Sequence, residues 1–368
     1  AILVAHIQQQ IGMVLGRTDA IPLEEGFFDL GMDSLMAVEL RNALQKSLDC
    51  KLPGTLTFDY PTGTDLCAYL ERRLFAASPD DTSPCLPDTP VSDVSVAPEA
   101  IGMTISLPDI LPVPPRREYM VAQGTLQLCV GEWGDPAAPP IVLIHGLMDQ
   151  LLVWERVAAG LVAAGWRVIA PELRGHGRSS HMPAGSIYSV INFVVDVDAV
   201  IQAVIAPETP VHLVGFSLGA TVATLYAHQR PERIRSLLLV EGLRLNQAHP
   251  AAPTADFRRT LDYLTRPAPH PILPDIAAGA TRLQTVLEAL PWDWAVQMAQ
   301  RGLEPVGDGW RWRWDAVLQN RAMLELGSSG IRMQAVATDV QAWQFATVLI
   351  DGRESPYTQE EPDQAFRA

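Results

Sequence analysis

Clusters of basic residues are absent from this acidic chain. Its 368 residues carry 27 Lys and Arg against 42 Asp and Glu, which gives a formal net charge of −15. Proteins that bind nucleic acids usually present a basic face, and no run of Lys or Arg occurs here. The charge pattern therefore excludes a nucleic-acid partner and is typical of a soluble protein.

Long apolar runs and a signal-peptide pattern are also lacking. The longest apolar stretches, such as residues 141–144, have the length of a strand. A membrane-spanning helix needs about 20 apolar residues. The first residues are typical of the middle of a helix rather than of a leader. We therefore expect a cytoplasmic protein that makes no membrane contact, and we expect these residues to be a piece of a longer one.

Cysteine is scarce, and its positions follow no metal-binding pattern. The four cysteines are Cys50, Cys67, Cys85 and Cys129. Such spacing matches neither a zinc motif nor a disulfide framework. We predict reduced thiols and no metal site.

Three segments differ in pattern. Residues 1–76 show apolar residues at helical spacing and predict a small all-α helical bundle. Residues 77–115 hold nine of the 30 prolines and predict a linker. Residues 116–368 alternate apolar strands with helices, which predicts an α/β domain with a doubly wound, mostly parallel sheet. A Trp- and Pro-rich stretch at about 243–320 interrupts that alternation and predicts an inserted helical lid.

Ser34 is a candidate attachment site for a phosphorylated arm. It follows Asp33 at the predicted start of a helix, where unpaired N–H groups and positive potential favour a phosphate. The alternative is an ordinary N-cap serine. The longer run at residues 26–40, GFFDLGMDSLMAVEL, closely resembles acyl carrier domains of polyketide synthases. The resemblance covers residues 1–76 and implies a 4'-phosphopantetheine cofactor on Ser34.

Ser217 is a candidate nucleophile. It lies in a Gly-x-Ser-x-Gly motif at 215–219, between a predicted strand and a predicted helix. This is the context of the nucleophile elbow in α/β-hydrolases, and the alternative is a glycine-rich turn without catalysis. The backbone N–H groups of Leu147, after an earlier strand, and of Leu218 are the predicted oxyanion donors.

The acid that would orient a catalytic histidine is predicted to be Glu241. The usual position for it, three residues past a glycine after the last strand, holds Ser355 here. Glu241 ends the preceding strand, from which a carboxylate also reaches the histidine. Asp351 and Glu354 are alternatives, and a structural role for Glu241 is another.

Histidine is missing from the region where the base should lie. The eight histidines are at positions 6, 145, 176, 181, 212, 228, 249 and 270. None follows the last predicted strand at 347–350. We therefore expect that the C-terminal strand, histidine loop and helix are missing, and that the chain as it stands does not turn over.

Residues 116–368 also resemble a narrower family, the decarboxylating thioesterases of the curacin type, which form terminal alkenes. The shared runs are residues 175–181, 261–264, 270–272 and 312–316. The resemblance implies that Arg321 recognises a β-sulfate on the substrate, since a guanidinium donates paired hydrogen bonds to such oxygens. The alternative for Arg321 is an ion pair within a helix. A family asparagine is replaced by Gly327.

Together these features predict the carrier–thioesterase end of a modular polyketide synthase. The expected partners are upstream synthase modules, a phosphopantetheinyl transferase and an acyl thioester, which in the curacin-like case is β-sulfated. Family members usually carry a sulfotransferase domain between carrier and thioesterase, and the linker of 39 residues is too short for one. A sulfotransferase would then act in trans. Plain hydrolysis, lactonisation and an inactive docking fragment remain alternatives.

Overall fold

A computed structural model describes most of both predicted domains. The described residues are 2–15, 17, 21–27, 30, 32, 34–48, 50, 52, 56–75, 115, 117–242, 269–287, 290–319 and 344–350. Arg321, Gly327, Asp351, Glu354, Ser355 and nearly all of the predicted linker lie outside them. The predicted domain limits stay a prediction.

The N-terminal region folds as a helical bundle with its own core. Its described helices are α1 (Ile2–Leu15), α2 (Ser34–Leu48), α3 (Leu56–Asp59) and α4 (Gly63–Phe75). The apolar residues that share one face of each helix are fully buried, among them Ile7, Ile11, Leu40, Leu44, Leu66 and Leu70. Spacings of four residues place each pair on the same helix face, so burial of those faces holds the helices together. The predicted all-α bundle is confirmed.

The C-terminal region is built on a twisted sheet. All strands of the described residues are β1 (Arg117–Gln123), β2 (Leu126–Trp133), β3 (Pro140–Ile144), β4 (Arg167–Pro171), β5 (Val211–Phe216), β6 (Ile234–Val240), β7 (Leu303–Val306), β8 (Gly309–Trp312) and β9 (Ala346–Ile350). The strand order in the sheet is β1-β2-β4-β3-β5-β6-β9, and pairing is parallel from β4 to β9 and antiparallel from β1 to β4.

Helices cover both faces of this sheet. On one face α6 (Val190–Val204) and α7 (Leu218–Gln229) pack over a large core, and on the other α5 (Glu155–Ala163) covers a smaller one. Every residue of β3 is buried, as expected for a parallel strand with helices on both sides. The predicted α/β class with a mostly parallel sheet is confirmed, whereas β1, β2 and their antiparallel pairing were missed.

The strand order places one end of the sheet at a topological switch. The chain leaves β3 toward β4 on one side and returns to β5 on the other, so the loops after β3 and β5 diverge from a shared crevice. Ligands of open α/β sheets bind at such a point, at the carboxyl ends of the strands. Both the predicted nucleophile and the predicted oxyanion loop follow these two strands.

The lid forms a separate layer with its own apolar core. Its described part contains α8 (Ile276–Val286), α9 (Trp292–Gly302) and the antiparallel hairpin of β7 and β8. Buried residues such as Met298, Leu303 and Trp312 join the two helices to the hairpin. The inserted helical lid is therefore present, and it also contains a hairpin that the sequence reading missed. The signal for it was the turn pair Gly307 and Asp308.

No helix among the described residues combines the length and the apolar character that crossing a bilayer requires.

Candidate active site

Ser217 lies on a strained turn between β5 and α7. Its φ is +52° and its ψ is −116°, a backbone conformation that costs energy for a residue with a Cβ. Its N–H donates to the carbonyl oxygen of Val240 at 2.9 Å, which fixes the turn against the end of β6. The surrounding fold therefore maintains a conformation that the residue would not adopt alone.

The two glycines of the motif allow strand and helix to cross closely. A Cβ at Gly219 would collide with the carbonyl oxygen of Ile144 and lie 2.6 Å from that of His145. A Cβ at Gly215 would collide with the carbonyl oxygen of Gly219. Because all of these atoms belong to the backbone, no side-chain rearrangement could relieve the clash. The motif is a steric requirement of this crossing.

Leu218 begins α7, so its N–H lies at the positive end of a helix of 12 residues. The N–H groups of the first turn have no acceptor within the helix, and the helix dipole favours negative charge beside them. Leu218 thus lies at the start of the helix that follows Ser217, and its role as an oxyanion donor stays a prediction.

The loop after β3 lies beside this turn and is held by His145. The His145 Nδ1–H donates to the carbonyl oxygen of Gly146 at 2.7 Å, and its Nε2 accepts the N–H of Leu173 at 3.0 Å. These partners select the neutral tautomer, and burial lowers the pKa of the ring. A Cβ at Gly146 would lie 3.4 Å from the Ser217 Cβ, so Leu147 follows a backbone segment in contact with the elbow.

Glu241 directly follows β6 and lies next to the elbow. Its N–H donates to the carbonyl oxygen of Ile350 at 2.9 Å, and its φ of +50° marks a second strained position at this edge of the sheet. A Cβ at the following Gly242 would lie 3.1 Å from the carbonyl oxygen of Ser217. The fold therefore brings Ser217 and the backbone of Glu241 together, while Asp351 and Glu354 lie outside the described residues.

The described histidines are held at other places in the fold. His228 lies in the last turn of α7, about 15 Å along the helix from its start at a rise of 1.5 Å per residue. The remaining rings make contacts of 2.7–3.0 Å with a neighbouring hydroxyl or backbone group: His6 with Ser47, His145 as above, His176 with Arg174, His181 with Arg313, His212 with Ser236 and His270 with Trp314. His249 lies outside the described residues. The described part of the chain thus supplies no evident base for Ser217.

A buried arginine ties the lid to the sheet domain. Arg301, in α9, donates through Nε to the fully buried Glu172 at 3.1 Å and through Nη1 to Glu118 at 2.8 Å. Glu172 also accepts the N–H of Arg178 at 2.6 Å. Beside this network, burial raises the pKa of the Cys129 thiol to about 12, so that it stays protonated. Sequence reasoning missed Arg301 because its partners are more than 120 residues away along the chain.

A second tie joins two of the runs on which the narrower resemblance depends. The N–H of Asp315 donates to the carbonyl oxygen of Gly175 at 2.7 Å, and Tyr188 donates its hydroxyl to the Asp315 carboxylate at 2.6 Å. His181 contacts the carbonyl oxygen of Arg313 at 2.7 Å. Residues 175–181 and 312–316 are therefore in contact, which gives their shared presence a structural reason.

Two protein-family models match the chain. Residues 139–357 match the alpha/beta hydrolase fold, and residues 3–70 match the phosphopantetheine attachment site. The second match implies 4'-phosphopantetheine attachment. The carrier region and the hydrolase region are thus recognised independently of each other.

Known proteins resemble each region separately. The thioesterase domain from the curacin biosynthetic pathway is 38% identical, with a TM-score of 0.60, over 66% of this chain and 87% of that one. Erythronolide synthase EryA2 from Saccharopolyspora erythraea is 52% identical over 64 residues, which are 17% of this chain and 2% of the synthase. An epoxide hydrolase from Caballeronia sordidicola is 34% identical over 121 residues, 33% of this chain and 36% of the hydrolase.

The chain spans only 2–36% of the length of the first curated relatives that it matches. Its two regions nevertheless combine a carrier domain with a thioesterase-like hydrolase domain in the context of polyketide synthases.

Proposed function

Because the chain belongs to the alpha/beta hydrolase fold family and carries a phosphopantetheine attachment domain, we propose that it releases an acyl chain from its own carrier by thioester hydrolysis. The observation that carries this proposal is the presence of both parts in one polypeptide. The carrier holds an acyl thioester, and the elbow at Ser217 has the backbone geometry of a nucleophile that attacks one.

Ser34 is the proposed attachment residue. It is the first residue of α2, a helix of 15 residues, so the helix N-terminus offers its N–H groups and positive potential to the phosphate of the arm. The residue type and its position therefore fit 4'-phosphopantetheine, which would supply the thiol that carries the acyl group. A phosphopantetheinyl transferase would add the arm, and upstream synthase modules would deliver the acyl chain.

Ser217 is the proposed nucleophile. Its oxygen bonds to the thioester carbonyl while its proton passes to a base. The N–H groups of Leu147 and Leu218 stabilise the oxyanion. The C–S bond then breaks and the thiolate takes the proton from the base. Water attacks the acyl-serine with the same base, which releases the acid and restores Ser217. Glu241 is proposed to orient the imidazole that acts as base.

The preferred extension is release followed by loss of CO₂ and sulfate. It rests on the likeness to the curacin-pathway domain and on the shared runs around the lid. In a β-sulfated acid the electron pair of the C–CO₂⁻ bond would form the terminal alkene as sulfate leaves with the C–O pair. Arg321 is proposed to bind that sulfate, with a sulfotransferase acting in trans.

Plain hydrolysis or lactonisation is the second candidate. Only 39 residues separate the two predicted domains, and Gly327 stands where the family has an asparagine. Both features disfavour a complete sulfate-handling assembly within this chain. A catalytically incomplete carrier or docking unit is the third candidate, and it would need no activated Ser217.

Product analysis on a full-length protein that contains the catalytic base distinguishes these candidates. The carrier is loaded from β-hydroxyacyl and β-sulfated acyl coenzyme A with a phosphopantetheinyl transferase, and products are identified by mass spectrometry. We expect Ser34→Ala to prevent loading and Ser217→Ala to load normally without release. Release by Ser217→Ala at the wild-type rate would refute the serine mechanism. Loading of Ser34→Ala would move the attachment site.

Arg321→Ala separates alkene formation from simple hydrolysis. It should lower kcat/KM for the β-sulfated substrate roughly ten- to a thousand-fold, at about 1.4 kcal/mol per decade, and leave the unsubstituted substrate unchanged. Arg321→Lys is the matched variant, because it keeps the charge and loses the planar fork. Equal losses on both substrates would make Arg321 a structural residue of the lid.

A further inference from the structure

A small cavity lies between the oxyanion loop and the lid. It has a volume of about 30 Å³. Asp149 and Gln150 line it from the loop side, and Met298, Gly302 and Trp312 line it from the lid. The loop and the lid therefore meet around a small gap at this point.

Two buried polar atoms on the lining residues have no hydrogen-bond partner within the described part of the chain. They are the Oε1 of Gln150, an acceptor, and the Nε1–H of Trp312, a donor. Gln150 is 6% exposed and Trp312 is 4% exposed, so bulk water does not satisfy them. Each atom exposes less than 1 Å² of its surface, so the amide oxygen of Gln150 and the indole N–H of Trp312 are enclosed where the loop meets the lid.

Gln150 also makes a direct bond across the same gap. Its Nε2 donates to the carbonyl oxygen of Met298 in α9 at 2.8 Å. Both partners are buried, so this bond is shielded from competition by solvent. On the lid side, α9 is itself fixed to the sheet domain by Arg301. The bond therefore connects the loop to a firmly anchored helix.

The loop between Gln150 and the proposed oxyanion donor is short and strained. Leu147 precedes Gln150 by three residues, and Met148 between them has a φ of +61°. The N–H of Asp149 makes a long contact of 3.4 Å with the carbonyl oxygen of Gly146, and the N–H of Gln150 makes one of 3.3 Å with the Oδ1 of Asp149. A loop with a left-handed non-glycine residue and only long internal bonds needs external support to keep its shape.

We propose that the buried bond to Met298 makes Gln150 the positioning residue that sets the oxyanion loop against the lid. This inference rests on the proposed function of Leu147 as oxyanion donor. Gln150 touches neither the substrate nor Ser217 in this role; it acts through the three-residue loop. Displacement of the lid helix would then misplace the oxyanion donor.

Gln150→Met tests the proposal, because methionine matches the length of glutamine and has no amide. We expect kcat to fall about tenfold with KM within twofold, since a misplaced oxyanion donor weakens the transition state more than substrate binding. The matched control is Gln284→Met. Gln284 donates to the carbonyl oxygen of Leu290 at 2.8 Å, which is the same bond made wholly within the lid. The control should leave kcat unchanged.

Gln150→Glu adds a pH signature that a merely structural role would lack. At low pH the introduced carboxyl is protonated and can donate to Met298, so kcat relative to wild type should be near one. As pH rises and the carboxyl ionises, the donor is lost and that ratio should fall about tenfold. A flat ratio between pH 5 and pH 8 would overturn the role of the bond.

One readout does not depend on turnover, so it separates this inference from the proposed function. Amide hydrogen exchange of the whole chain should quicken at residues 145–150 in Gln150→Met and stay unchanged there in Gln284→Met. Equal exchange in both variants would overturn the proposal even if wild-type thioesterase activity is found. Absent turnover in a full-length protein that contains the catalytic base, together with the expected exchange, would refute only the proposed function.

Discussion

A single methyl group at Gly219 should destabilise the hydrolase domain strongly. The alanine Cβ would lie 2.6 Å from the carbonyl oxygen of His145 and collide with that of Ile144. Real Cβ contacts essentially never fall below 3.0 Å. Because both oxygens belong to the backbone at the end of β3, relief requires α7 to move away from the sheet.

The expected loss of stability in Gly219→Ala follows from the cost of overpacking a tightly packed interior. Overpacking a tight interior typically costs about 1–3 kcal/mol, and a backbone clash belongs at the upper end of that range. For a domain of about 250 residues, 3 kcal/mol corresponds to a fall in Tm of roughly 6–12 °C. Differential scanning calorimetry of the whole chain measures it. The N-terminal bundle has a separate core and should melt independently, so its transition is an internal reference.

Gly124→Ala is the matched control. Gly124 lies in the turn between β1 and β2 with a φ of +58°, and no atom would lie within 4 Å of the added Cβ. Left-handed strain costs about 1–2 kcal/mol, partly offset by the lower entropy of the unfolded alanine chain. Its Tm should fall by less than half as much as that of Gly219→Ala. If the two variants melt together, the steric account of the elbow is wrong.

Further expectations concern buried charge. Arg301→Met should destabilise the hydrolase domain by about 3–5 kcal/mol, because it leaves the charge of the buried Glu172 without its partner. Adding Glu172→Gln should restore part of that loss. Equal Tm values for the single and the double variant would contradict this. Burial raises the pKa of Asp149 to about 7. Between pH 4 and pH 7 the folded state therefore binds more protons than the unfolded state, so the free energy of unfolding should fall as pH rises through that range. Asp149→Asn should abolish this fall and be the more stable protein at pH 8, as measured by urea unfolding; an unchanged pH dependence would refute the assignment.

Local patterns were sufficient for the parallel strands, for the helices of the N-terminal bundle and for the motif of the elbow. The strand before Ser217, the helix after it and the two glycines are consecutive in sequence, so the motif could be identified locally. The contact that requires a glycine at position 219 is with Ile144 and His145, which only the fold brings there. The helix start at Ser34 and the buried strand β3 are likewise properties of short segments, because helical spacing and continuous apolar runs depend only on neighbours. The order of domains followed from composition, since a proline-rich segment separates two different periodicities.

The contacts that hold the site together were decided by the tertiary structure alone. Glu172 and Arg301 are 129 positions apart, and Tyr188 and Asp315 are 127 apart. The position of a carboxylate residue in the sequence does not indicate which distant guanidinium or hydroxyl group it will contact in the fold. The raised pKa of Asp149 arises from desolvation where the lid covers the loop, and the unpaired amide oxygen of Gln150 is defined only by what surrounds it. Burial and pairing are properties of the assembled fold, so residue type and spacing alone could not predict them.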